Sequence, residues 1–206
     1  MEQYKSVLQE YSCELIEKKS KFIGYISPIE NETQATSFLS KVKNKYWDAK
    51  HHVYAYILKD GPFSKSSDDG EPSGTAGIPI LNVIKSNSLV NTMVVVARYF
   101  GGILLGAGGL LRAYSQTATM AVNNAKIATY KLSYIFRLSC TYEQYNKILL
   151  IFDGFAAEVD ASQFLSEVFL TFHVAADEAE DLKTALMQLT GGNLKLQLMG
   201  SDFFYY

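Results

Sequence analysis

The 206-residue sequence has no CxxC pair, and its two cysteines, Cys13 and Cys140, stand far apart, so neither a zinc frame nor a secreted disulfide scaffold is indicated. Both thiols are expected reduced and structural. No apolar run approaches the about 18 residues of a membrane span, and the start, MEQYKSVLQEYS, carries charges where a signal peptide needs an apolar core. The cytoplasm is the expected address and no membrane partner is expected. Charge of one sign is also lacking: 19 basic against 21 acidic residues give −2, which excludes a whole-protein field for tight non-specific nucleic-acid binding. GxSxG, HExxH, GxGxxG and Walker signatures are absent too, so no recognised nucleophile, metal or nucleotide pattern is present. Neither a metal nor a cofactor is expected.

What is present is the composition of a folded chain: 48% hydrophobic residues, 19% charged, 12 Phe and 14 Tyr. Residues 1–130 carry 14 basic and 11 acidic side chains and residues 131–206 carry 5 and 10, so the halves are +3 and −5. This asymmetry suggests two domains, 1–130 and 131–206. The second reads as strand 132–140, helix 143–152, strand 155–160, strand 167–174, helix 177–189 and strand 193–199. That βαββαβ order is the ferredoxin-like split sandwich. The first reads as a strand pair over 11–16 and 21–26 and a helix over 33–46 with Ala35, Phe38, Leu39, Val42 and Tyr46 on one face. A strand HVYAYIL and a polar loop FSKSSDDGEPSG follow, then an apolar helix or strand near 80–84 and a buried strand TMVVVARYF. A helix over 109–126 has Leu111, Tyr114, Ala118, Ala121 and Ala125 as its core stripe. The class is α+β, and the first domain is expected to be a two-layer β-α sandwich.

Three segments carry chemistry. In ARYFGGILLGAGGLLRAY, residues 97–114, a strand feeds a glycine-rich loop and a helix start. Backbone N–H groups around Gly101, Gly102, Gly106 and Gly108, with Arg98 and Arg112, make an anion site one expectation. Tight strand-to-helix packing with Arg98 in a structural ion pair is the other. In SDDGEPSGTAGIP, residues 67–79, Asp68, Asp69 and Glu71 sit on a turn-rich loop; adjacent carboxylates diverge and lack EF-hand spacing, so partnership with the arginines is preferred over a metal. Arg98 is therefore expected beside Asp68, Asp69 or Glu71. In HHVYAYI, residues 51–57, alternation puts His51 on one face and Tyr54 and Tyr56 on the other. The tyrosines offer a base-stacking platform if uncovered, or cover the edge of a core. His51 is either an acid/base or a hydrogen-bonded strand-end histidine.

FIGYI, HHVYAY, SDDGEPSGTAGIP and VVVARYFGGILLGAGGLLRAY, in this order, resemble the YigZ/IMPACT family over the first 130 residues. The matching positions include His51, Asp68, Asp69, Gly70, Glu71, Arg98, Gly101, Gly102, Leu105, Gly106 and Arg112. Val53 stands where many bacterial members resemble one another in having cysteine, which weakens a thiol mechanism here. The resemblance implies a first domain similar to the second domain of a small-subunit ribosomal protein and a C-terminal domain similar to a ferredoxin-like domain of elongation factor G. It implies, too, a cytoplasmic binding protein in the regulation of translation, since the eukaryotic relatives are translational regulators. Weak, salt-dependent contact with RNA or a ribosome-associated protein is the expected partnership. The competing expectation is a small-molecule enzyme, phosphate-handling or hydrolytic, that uses the glycine loop and Arg98 on an anionic small ligand.

Overall fold

A computed structural model describes residues 2–60, 64–193 and 195–206. Phe63, in the expected polar loop, and Leu194, in the last expected strand, lie outside the described residues. Contacts divide the chain into two units, one of Tyr4–Ala128 and one joining the chain's first residues to Thr129–Tyr206.

The first unit holds β1 (Gln3–Val7), whose first residue belongs to the other unit, then β2 (Tyr11–Glu17), β3 (Ser20–Pro28), α1 (Glu32–Lys45), β4 (His51–Ile57), β5 (Ser64–Ser67), α2 (Gly77–Ser86), β6 (Thr92–Tyr99) and α3 (Gly106–Asn124). Its antiparallel sheet runs β2-β3-β6-β4-β5. The central strand β6 is apolar on both sides, as a strand covered on both faces must be. Val94 and Val96 join Phe22, Val53, Ile80, Leu110 and Tyr114 in the core beneath α2 and α3. Met93 and Val95 face the other way, into a second core closed by Ala35, Phe38 and Val42 of α1. The sheet and the α2/α3 layer are the two expected layers, and α1 is an additional cover on the opposite face. Asn31 caps α1 by accepting the Gln34 N–H, and Lys43 and Lys45 in its last turn complement the helix dipole. α3 begins at Gly106 rather than 109; Leu110 is in the core, and Leu111, expected in the stripe, is exposed.

The second unit holds β7 (Ile127–Cys140), whose first two residues belong to the first unit, then α4 (Tyr142–Phe152), β8 (Ala157–Phe164), β9 (Val168–Ala175), α5 (Ala179–Leu189) and β10 (Lys195–Tyr205). β7 pairs antiparallel with both β9 and β10, and β8 pairs with β9. The spatial order is therefore fourth, first, third, second strand of βαββαβ, the ferredoxin-like arrangement read from the sequence. Thr141 and Gln144 form a capping box at the start of α4. Alternate residues Leu170, Phe172 and Val174 of β9 pack with Ile148 and Phe152 of α4 and Leu182 and Leu186 of α5. β10 runs six residues past the expected end at Met199, through a register shift between Leu198 and Gly200. Among the described residues no helix is long and apolar enough to cross a membrane.

Candidate functional site

Antiparallel pairing of β4 with β6 sets His51 opposite Arg98 at one end of the first unit's sheet. Both the acidic loop after β5 and the glycine loop after β6 return to this end. Arg98 follows Val94 and Val96 at period two, so its side chain enters the α3 side of the sheet, where it is 6% exposed. A guanidinium buried to this degree needs a counter-charge. Glu71 supplies it: Arg98 Nη1 donates to Glu71 Oε1 at 2.6 Å, and the Tyr114 hydroxyl donates to the same oxygen at 2.7 Å. Arg98 Nη2 lies 3.5 Å from Ser20 Oγ, and the guanidinium carbon is 5.4 and 5.7 Å from the ring centres of Phe22 and Phe100. Burial and then the Glu71 charge push the Tyr114 hydroxyl well above the usual tyrosine range, so it remains a donor at any physiological pH. The expected meeting of Arg98 with the acidic loop is thus a buried ion pair to Glu71.

The neighbouring carboxylates have other work. Asp68 accepts N–H groups from Gly74, Ala76 and Gly77 at 2.9, 3.0 and 2.8 Å and so ties the loop to the start of α2. Burial opposes its ionisation, but these three donors outweigh burial and hold its carboxyl below the usual range. Asp69 Oδ2 accepts the His52 N–H at 2.6 Å, and the Asp69 carbonyl takes His51 Nδ1 at 2.8 Å. A carbonyl only accepts, so Nδ1 carries the hydrogen and Nε2 is left with the lone pair in the neutral ring. Nε2 lies 3.9 Å from Glu71 Oε1, beyond hydrogen-bond reach. Of the two readings of His51, its Nδ1 is that of the hydrogen-bonded strand-end histidine.

Above this network opens a cleft of about 400 Å³. His51, Glu71 and Arg98 form its polar part, Pro72, Phe100, Leu104, Leu105 and Leu110 its apolar walls, and Lys50, Gly70, Gly106 and Ala107 complete the lining. The chain reaches Phe100–Leu105 because Gly101 lies directly on the β2–β3 turn: a Cβ there would stand 2.0 Å from the carbonyl carbon of Lys19. The Gly101 N–H donates to Ser20 Oγ at 3.2 Å. The expected cradle of glycine N–H groups is accordingly corrected, since Gly101 is occupied, Gly102 and Gly108 do not line the cleft, and Gly106 alone of the four does. Arg112 is exposed on α3 outside the lining, and a Cβ on Gly108 would lie 3.9 Å from its Nη1.

The stacking platform is corrected too. Tyr56 is buried beneath α1 with its hydroxyl donating to Glu32 Oε1 at 2.9 Å, and Tyr54 packs parallel to it at 6.4 Å. Tyr54 and Tyr56 belong to the second core and not to the cleft. Sequence reasoning passed over Ser20, Lys50, Phe100 and Leu104. A serine in a strand of apolar residues and three bulky apolar residues in a glycine loop were the available signals. Trp47, the single tryptophan, stands 81% exposed three residues before Lys50. Among the described residues no group of His, Cys, Asp and Glu is arranged to hold a metal.

Compared with known proteins, residues 18–122 match the Impact N-terminal domain and residues 138–193 a domain of unknown function (DUF1949). Every residue lining the cleft lies within the first match. The chain is 40% identical over 163 residues to IMPACT family member YvyE of Bacillus subtilis, covering 79% of this chain and 72% of that one. It is 30% identical over 182 residues to IMPACT family member YigZ of Escherichia coli, covering 87% and 89%. Protein IMPACT of Danio rerio is 34% identical over 98 residues, 45% of this chain and 30% of that one. A crystal structure described as that of a hypothetical protein superposes with a TM-score of 0.63 at 29% identity over 95% of this chain and 97% of its own.

Proposed function

The chain belongs to the IMPACT family, and from that premise we propose that it is a cytoplasmic binding protein of translational control whose first unit docks a protein partner on the rim of the Arg98–Glu71 cleft. The observation that carries this reading is the β6–α3 loop. Phe100, Ile103 and Leu104 are exposed there, Leu104 to 84%, on a segment whose base is anchored by Gly101. Large apolar side chains held in water on a fixed loop are the material of interface anchors. The buried charges support the same reading over a phosphate-handling enzyme. Arg98 is neutralised by Glu71, so it brings no net charge to a transferring phosphoryl group. The cover of α1 over Tyr56 favours a protein over a stacked RNA base as the partner.

Ribosomal particles resolved on sucrose gradients test this. Wild-type protein should travel with them, and Leu104→Asp should reduce the bound fraction about tenfold with unchanged thermal stability. Because the contact is apolar, raising salt should release little protein, whereas phosphate contacts would release it steeply. Absence of wild type from the particle fractions at low salt would overturn the reading.

A further inference from the structure

Among the described residues, the cleft is lined by one buried side-chain nitrogen without a partner. The Arg98 Nε–H is buried and donates to no acceptor among the described residues, although the rest of the guanidinium is engaged by Glu71 and Ser20. His51, nine-tenths buried, has Nδ1 fixed on the Asp69 carbonyl, so its Nε2 presents a lone pair and offers no N–H to an anion. A buried N–H without an acceptor is uncommon in folded proteins and marks a position where an oxygen completes the network. The second feature is the start of α3. This helix of 19 residues has Leu105 at its cap position, no side chain capping it and no acidic residue in its first turn. Gly106 and Ala107, its first residues, line the cleft, and its unpaired N–H groups amount to about half a positive charge. Lys50, exposed and without an acidic partner among the described residues, lines the same space.

These groups select an anion of one charge. Arg98 is already balanced by Glu71, so the positive charge left at the site is that of Lys50 and the helix start. A phosphate monoester brings roughly −1.5 to −2 at neutral pH and would meet the Glu71 carboxylate with its excess. A carboxylate brings −1, and its two oxygens suit converging N–H donors. Phe100, Leu104, Leu105, Leu110 and Pro72 make the remaining lining apolar, and about 400 Å³ is the lower end of the range for small-ligand pockets. We propose that this cleft binds a carboxylate carried on an apolar body, either a free organic acid or the C-terminal residue of a peptide. The carboxylate sits at the start of α3 near Lys50, and the apolar body lies along Phe100 and Leu104. The cleft shares Phe100 and Leu104 with the docking rim proposed above, but its occupant is a small carboxylate or a chain end, whose binding is measured without ribosomal particles.

Backbone amide NMR of the full-length protein tests it. Four probes are titrated: phenylbutyrate, acetyl-phenylalanyl-leucine with a free C-terminus, the same dipeptide as its C-terminal amide, and inorganic phosphate. Both carboxylates should move the Gly106 and Ala107 resonances to saturation, and the amide and phosphate should not. Lys50→Ala, an exposed substitution that leaves the core intact, should weaken carboxylate binding roughly fivefold. Leu104→Ser should weaken it as well, without changing the preference for carboxylate over amide. Tighter binding of the dipeptide identifies a chain end as the natural ligand class, and tighter binding of phenylbutyrate a free acid; either supports the site. Equal binding of the amide or of phosphate, resonance changes confined to other residues, indifference to Lys50→Ala, or no response to either carboxylate at about 10 mM would overturn it. Failure of ribosome sedimentation leaves this measurement unaffected, and the converse holds.

Discussion

Glu71 and Asp68 lie three residues apart on one loop and are held by different partners, Glu71 by Arg98 and Tyr114 and Asp68 by backbone N–H groups. Glu71 is buried against Arg98, so Glu71→Gln keeps the shape and leaves a guanidinium without counter-charge. We expect this to lower stability by about 3–5 kcal/mol, measured by denaturant unfolding followed by circular dichroism. Asp68 is held by backbone donors, and its carboxyl titrates below its unfolded value of about 3.9. A carboxyl depressed on folding stabilises the protein above its unfolded pKa, and this contribution disappears as pH falls through the folded value. Asp68→Asn should therefore cost about 1–3 kcal/mol at neutral pH, and unfolding curves of the two proteins should converge as pH falls through the folded pKa of Asp68.

At the scale of elements, the site depends on how closely the glycine loop approaches the β2–β3 turn. Gly101→Ala places a methyl group inside the backbone of Lys19, which cannot swing aside as a long side chain would. A loss of about 3 kcal/mol is expected, read as a lowered thermal midpoint, with the loop displaced from the cleft. The turn itself is unusual, since Lys18 and Lys19 both have positive φ, 46° and 64°, where Asn-Gly is the common choice. Much of this organisation was legible in the sequence. Alternation along HHVYAYI separated His51 from Tyr54 and Tyr56, and opposite charges in two motifs anticipated Arg98 beside Asp68, Asp69 or Glu71, of which the fold selects Glu71. What alternation does not encode is which helix covers which face, so the burial of Tyr56 under α1 was open until α1 was placed. β5 reads SKSS, with no apolar residue to mark a strand, and exists by its register with β4. The far half of β10 was hidden because the shift at Met199 breaks its period and GSD reads as a turn. Gly106 as a helix start was equally hidden, since glycine is a poor helix former and the cap position holds leucine.

On the whole-molecule scale, the two units have separate cores and opposite charge balances, +3 and −5 by sequence halves. The surplus on the first is too small for strong attraction to phosphate, which is why the weak salt response expected of the Leu104 contact discriminates between partners. Trp47 bears on how any of these measurements is made. The chain's one indole already faces water, 81% exposed, so unfolding changes its surroundings little, and its emission is a poor gauge of whether either core has melted. The same exposure, three residues from Lys50, makes it an intrinsic optical reporter of whatever settles at this end of the sheet, with a background undisturbed by buried tryptophans elsewhere in the chain.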